Sequence, residues 1–295
     1  MPQKLIARIP VRTLSTLGVL ISILSVQVGA SFAKQLFPVL GAEGTTALRQ
    51  GFSTLVLFAL FQPWKNAPER QHWGIVGLYG ALLGVMNLTF YLAVARLPLG
   101  IAVAIEFTGP LAVAILSSRR WSDAIWVACA IAGLLILVPL KGGHGGIDPL
   151  GVLWAVVAAT CWGFYIIIGQ RVSDRVHGGK AVAIGMALSS LFTIPIGMAV
   201  AGPALWEPKM LLLGLGVAIL SGAIPYTLEM LALKHIPAKT FGLMMSLEPA
   251  AAAVMGWLIL AERLSLVQGL GIALVIVASA GSSLTARRST AEAEG

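Results

Sequence analysis

YLAVARLPLGIAVAIEFTGP, residues 91–110, lies over MLALKHIPAKTFGLMMSLEP, residues 230–249, without a gap at an offset of 139 residues. Ala93 meets Ala232, Leu97 meets Ile236, Pro98 meets Pro237 and Pro110 meets Pro249. Apolar segments share composition, so any one match carries little. Two prolines at the same twelve-residue spacing in both segments are harder to obtain by chance, and they point to an internal repeat.

Outward from these segments, charges and Pro or Gly separate ten apolar runs: 14–35, 45–62, 73–95, 99–118, 122–140, 149–169, 181–201, 210–233, 239–260 and 265–285. Each is close to the ~20 residues that cross a bilayer. The expected organisation is a first five-helix repeat at 14–140, a second at 149–285, and a polar tail at 286–295 expected to be cytoplasmic and disordered. An odd number of crossings per repeat makes the second copy enter from the opposite side. The expected fold class is therefore all-α integral membrane, with ten transmembrane helices as two inverted five-helix repeats. Pro98 and Pro237 then turn at opposite faces as equivalent gates, the symmetry that alternating access requires.

Composition agrees. Charged residues make up 11% and apolar residues 58%, with mean hydropathy +0.90, against roughly 25% charged in a soluble domain. An ordinary water-soluble globule is excluded. The net charge of +8 is spread over 20 Lys and Arg that stand singly or in pairs between apolar runs, which reads as topology and not as a nucleic-acid patch. With the N-terminus inside, fourteen of them (Lys4, Arg8, Arg12, Arg119 and Arg120 among them) fall in inner segments. The other six, Lys34, Arg49, Arg96, Lys141, Lys209 and Arg263, fall at outer ends and loops. This bias predicts both termini in the cytoplasm. The basic start and the run ending Ser31-Phe32-Ala33 resemble a signal peptide, but the run exceeds a usual apolar core and is read as an uncleaved first helix.

The loops leave no room for an extramembrane domain, so function is expected within the bundle. His72, His144, His177 and His235 lie between runs and form no HExxH, and Cys129 and Cys161 sit inside apolar runs. No Walker A motif occurs. The chain is thus expected to be no enzyme and to use no metal, cofactor, nucleic-acid or ATP-binding partner. Its partners are the lipid bilayer and a small solute.

Ionisable groups inside a bilayer are costly and become functional candidates by default. At 1.5 Å per residue, Glu106 lies ~12 Å beyond Pro98 and Glu248 ~16 Å beyond Pro237, from opposite faces, which places both near the midplane. Each reads as a proton-titrating or ammonium-binding carboxylate, or else as a structural partner of Lys34 or Arg49. Glu229 lies nearer the inner end of its helix, where it could simply reach interfacial water. Arg49 could hold a substrate carboxylate with its planar fork, or snorkel to the interface, and Lys34 is likewise a candidate or an anchor. Gln27, Asn87 and Tyr226 are cavity-lining or interhelical hydrogen-bond candidates, Asn87 falling over Tyr226 at the same offset. Pro110 and Pro249 each remove a helical hydrogen bond in mid-membrane and, with Pro98 and Pro237, are hinge or gate candidates.

Four segments carry a family likeness: QVGASFAKQLFP from Gln27, PLGIAVAIEFTGPLAVAILSSRR from Pro98, AILSGAIPYTLEMLAL from Ala218 and TFGLMMSLEPAAAAVMG from Thr240. The chain resembles the EamA-type branch of the drug/metabolite transporter superfamily nearly end to end. EFTGPLAVA and PYTLEM favour the threonine/homoserine group within it. The resemblance implies efflux of small neutral amino acids across the bacterial inner membrane, driven by proton motive force. Export of another metabolite or a drug-like amphiphile on the same architecture stays open, with a membrane sensor or enzyme more distant.

Overall fold

A computed structural model describes residues 11–66, 68–116, 123–137, 148–173, 175–176, 178–233, 235–236 and 238–285. Every regular element among them is helical. Eight helices are long and apolar enough to cross a membrane, and a shorter apolar helix covers Ala124–Leu137.

The first element, α1 (Val11–Phe61), differs most from the sequence reading. Its 51 residues would extend ~76 Å if straight, more than twice the hydrocarbon thickness. Gly41, at φ 68° and ψ 171°, instead splits it into two arms. Only a residue without Cβ takes that conformation cheaply. The runs expected at 14–35 and 45–62 are therefore joined through one residue, not through a loop at 36–44. Thr45 and Thr46 donate to the carbonyls of Gly41 and Ala42, each at 2.8 Å, and restart the helix at once.

The chain continues as α2 (Trp73–Val94), α3 (Leu99–Glu106), α4 (Thr108–Leu116), α5 (Asp123–Leu137), α6 (Pro149–Ser173), α7 (Gly178–Ala201), α8 (Pro208–Ala218), α9 (Ile224–Leu233), α10 (Ala238–Met245), α11 (Glu248–Leu260) and α12 (Leu266–Thr285). A π turn, Ile219–Ala223, links α8 to α9. The C-terminal end of α6 and the N-terminal end of α7 each extend a few residues beyond the expected 149–169 and 181–201. Pro237, Lys141, His144, His177 and the tail 286–295 lie outside the described residues.

Two helices are interrupted where proline spacing predicts. α3 stops at Glu106 before α4, and α10 stops at Met245 before α11. Pro110 and Pro249 have no N–H, so the carbonyls four residues earlier, those of Glu106 and Met245, lose their helical donors. The two breaks are themselves 139 residues apart.

α1 packs on α7, α2 on α6, α5 on α12, α3 on α11, and α8 and α9 on α1. Gly80 and Gly84, a GxxxG pair in α2, abut Leu188 and Ser189 of α7, the close packing that spacing favours. At the end of the bundle that holds Gly41 and the 95–98 turn, Ala93, Val94, Leu97, Ile101, Ala252 and Val275 form a fully buried core. The outer surface is apolar too, with Leu116, Leu191, Leu212 and Leu266 exposed. Apolar residues on both faces of a helical bundle suit a lipid surround.

Candidate functional site

One cavity of about 390 Å³ opens among these helices, within the ~300–1,000 Å³ range of small-molecule sites. It is lined by Gln27, Arg49, Asn87, Glu106, Tyr226, Glu229 and Glu248, together with Tyr79, Trp162, Tyr165 and Ser221. Seven of the eight polar candidates picked from the sequence thus share one space. Gln27, Arg49, Asn87, Glu106 and Glu248 are each at most 7% exposed. The lining reaches Gly169, Ala181 and Val182, beside the 173–178 connection, and so extends away from the Gly41 end.

Arg49 organises the polar wall. Its Nε donates to Ser221 Oγ at 2.9 Å and its Nη2 to the Ser221 carbonyl at 2.9 Å, while Nη1 donates to Asn87 Oδ1. Its guanidinium lies over the Tyr91 ring, 5.3 Å from the centroid. Local sequence explains the carbonyl: Pro225, four residues after Ser221, has no N–H to give it. A π turn at such a place is a recurrent feature of functional helices. A guanidinium has five N–H bonds, so these contacts leave two for another acceptor. Arg49 is therefore buried in the bundle and does not snorkel to the interface.

The carboxyls come from three elements. Glu106 ends α3 at the Pro110 break, and Glu248 opens α11 beside Pro249. Glu229, on α9, accepts a hydrogen bond from Ser22 Oγ at 2.5 Å, so it turns inward to α1 and not to interfacial water. Tyr79 donates to Tyr165 at 2.7 Å with the rings stacked, closing one side of the cavity. Asn87 donates from Nδ2 to the Leu83 carbonyl at 2.7 Å, which fixes its oxygen toward Arg49.

Lys34 is not in the cavity. It lies at the Gly41 end, where Nζ meets Glu262 Oε1 at 2.7 Å and the Leu97 carbonyl at 2.7 Å. Glu262 Oε2 accepts the Leu99 N–H at 2.8 Å. Pro98 caps α3 in extended conformation between these two anchored residues. Nearby, Arg96 Nη1 pairs with Asp148 Oδ2 at 2.9 Å. That hydrogen bond, with the Leu150 N–H, holds the Asp148 carboxyl below the usual carboxylate range.

The sequence reading did not single out Ser22, Ser221 or Glu262. The available signal for Ser221 was Pro225; Glu262, beside Arg263 at the end of an apolar run, gave none.

Comparison with known proteins follows the same lines. The pattern of the EamA-like transporter family matches residues 149–284. The threonine/homoserine exporter RhtA of Salmonella typhimurium is 49% identical over 93% of this chain and 93% of its own length. The exporter of the same name from Escherichia coli K12 is 49% identical over 91% of each. A crystal structure at 20% identity superposes with TM-score 0.62 over 92% of this chain and 98% of its own, which shows a shared fold. The chain belongs to the EamA-like transporter family and is a membrane transporter, not an enzyme.

Proposed function

We propose that this chain exports small neutral amino acids of the threonine and homoserine kind from the cytoplasm, driven by proton motive force. One observation carries the reading: a single buried cavity holds Arg49 together with three carboxyls, in a chain 49% identical to exporters named for threonine and homoserine. A zwitterion offers a carboxylate and an ammonium a few ångströms apart. The free N–H bonds of Arg49 suit the first, and Glu106 or Glu248 the second. Three ionised acids and one guanidinium carry a net charge of −2, to which a zwitterion adds nothing, and each coupled proton taken up by an acid lowers that excess in a low-dielectric site.

The architecture that serves this transport is ten crossings in two inverted repeats, 14–140 and 149–285. The two arms of α1 count separately and α5 completes the first half. Support comes from the matched breaks at Glu106 and Met245, from the family match on 149–284, and from the packing pattern. Exchange of the halves turns the contact of α2 with α6 into that of α9 and the π turn with the first arm of α1, made at Glu229 with Ser22 and at Leu220 with Ser25. Both termini are assigned to the cytoplasm of the bacterial inner membrane. The cavity then faces inward, and the Lys34–Glu262 end closes the outer side.

The test is to overproduce the chain in a bacterial host, load the cells with amino acids and follow which ones leave, with and without an uncoupler. Accelerated loss of threonine and homoserine that the uncoupler abolishes is expected. Unaltered efflux of every neutral amino acid overturns the cargo, and acceleration that persists with uncoupler overturns the proton coupling.

A further inference from the structure

The hydroxyls around the cavity differ in what they already bond. Ser22 donates to Glu229, and Ser221 accepts from Arg49 and donates to the Val217 carbonyl. Two tyrosines are less committed. Tyr165 accepts from Tyr79, which leaves it its own proton to donate, and no acceptor among the described residues takes that proton. Tyr226 has no hydrogen-bond partner at all among the described residues. It is only partly buried, where Gln27, Asn87 and Glu106 are buried. Its hydroxyl, unlike that of Tyr91, is open to the space that the residue lines.

Ser221, Tyr226 and Glu229 all face the cavity from one continuous helical stretch. Over the ~12 Å from Ser221 to Glu229, Tyr226 stands between the residue that holds Arg49 and the acid. Its ring packs on the apolar cluster of Leu57, Leu83 and Met186, which steadies the hydroxyl. Arg49, Glu229, Glu106 and the Tyr165 hydroxyl are the titratable groups within electrostatic range of it. Arg49 and Glu106 suit the two charged ends of a zwitterion, so a hydroxyl in range of both lies beside the α-carbon that joins those ends. Tyr165 and Tyr226 stand within that range of each other without a hydrogen bond between them. One has a proton to give and the other lone pairs to receive. A group that accepts from the first and donates to the second completes the set, and an alcohol does both. An ammonium only donates and a carboxylate only accepts, and each has a charged partner elsewhere in the cavity.

We infer that Tyr165 and Tyr226 clasp the side-chain hydroxyl of the cargo, Tyr165 donating to it and Tyr226 accepting from it, and so set a preference for hydroxylated over plain aliphatic amino acids. The inference deepens the amino-acid export reading above and rests on it. An analogue without the hydroxyl loses both bonds and fills the space between two tyrosyl oxygens with hydrogen, which discriminates more strongly than fit of shape alone.

Purified protein in proteoliposomes tests this with threonine and homoserine against 2-aminobutyrate, the compound that either becomes when its hydroxyl is replaced by hydrogen. The wild type is expected to favour the hydroxylated pair by about tenfold or more in kcat/KM. Tyr226→Phe removes one oxygen and keeps the ring on its cluster, and it is expected to bring the threonine ratio to about threefold or less. Tyr165→Phe is expected to do the same. An unchanged ratio in either variant overturns the inference, as does an equal loss for threonine and 2-aminobutyrate, the result of a structural role or of a bound water. If a variant transports too poorly to measure, its thermal stabilisation by threonine relative to 2-aminobutyrate decides in the same way. A wild type that moves none of the three compounds nor any other neutral amino acid overturns the export reading and the inference with it; a wild type that moves all three without preference overturns the inference alone.

Discussion

The Ser189 hydroxyl donates to the carboxamide oxygen of Gln50, a residue 139 positions earlier in the chain. That separation is the offset at which the 91–110 and 230–249 segments align. Residues at equivalent places in two inverted repeats can touch only near the axis that relates them, so the proposed symmetry requires such a pair on facing helices. Thr193 also donates to the same oxygen at 3.3 Å, and Thr54 and Ser190 pair at 3.1 Å alongside.

This polar seam between α1 and α7 predicts a measurable coupling. Interhelical hydrogen bonds in membranes contribute ~0.6 kcal/mol on average and up to ~1.7. Gln50→Ala and Ser189→Ala are expected to lower thermal stability in detergent, with the double variant no worse than about the poorer single one. Strictly additive losses in that cycle would show that the bond contributes nothing.

Orientation has a separate test. A periplasm-active reporter fused after Lys141 is expected to be active, and one fused after Arg175 inactive. The opposite pattern overturns the assignment of both termini to the cytoplasm, which rests on the distribution of Lys and Arg.

Helices and breaks were legible in the sequence because lipid leaves few alternatives: backbone groups must pair within each segment, and a proline that removes a donor shows its consequence locally. The acids around the cavity were legible for the same reason, since a buried Glu106 or Glu248 is too costly to be idle. What stayed hidden was long-range. Glu262 stands next to Arg263 at the end of an apolar run, like any interfacial charge, and its partner Lys34 lies 228 residues away. Lys34 itself was read as a site candidate because depth alone does not tell which neighbour a side chain meets. The one-residue join at Gly41 was missed because Pro38, Gly41, Glu43 and Gly44 make residues 36–44 read as a loop, and hydropathy does not show that the helix resumes at once.

The Lys34–Glu262 pair joins α1, the 97–99 turn and the chain before α12 through three bonds of 2.7–2.8 Å. Removing one partner of a partly buried charge pair strands the other, and here a backbone group with it. Lys34→Met is expected to lower the melting temperature more than Glu262→Gln, because it removes two of the three bonds and strands the Glu262 carboxylate, whereas glutamine keeps an oxygen that can accept the Leu99 N–H. Losses of about 1–3 kcal/mol follow from stranded buried groups. Equal stability of both variants with wild type would show the pair to be ornamental at that end.

Arg49 predicts a sharper geometric dependence. Three of its N–H bonds build the wall with Ser221 and Asn87, and lysine cannot reproduce that fork while leaving donors for a carboxylate. Arg49→Lys is expected to keep the positive charge and membrane abundance but to reduce efflux by tenfold or more, about 1.4 kcal/mol or above in transport free energy. Wild-type efflux from Arg49→Lys would mean that charge alone suffices and that the planar geometry is not used.

Glu248 carries the last prediction. It is 6% exposed, opens α11 at the break beside Pro249, and lines the cavity with Glu106 and Glu229. No basic side chain among the described residues bonds to it, so a structural ion pair does not account for its burial. As an ammonium acceptor or proton carrier it must be able to hold a negative charge, which a carboxamide of the same shape cannot. Glu248→Gln is therefore expected to impair efflux across the pH range while membrane abundance stays normal, and exchange of labelled for unlabelled threonine separates the two roles. Loss of net efflux with exchange retained identifies the proton carrier, whereas loss of both identifies the ammonium acceptor. Undiminished efflux at every pH from a normally expressed Gln variant would remove Glu248 from the mechanism and leave Glu106 and Glu229 to share its tasks.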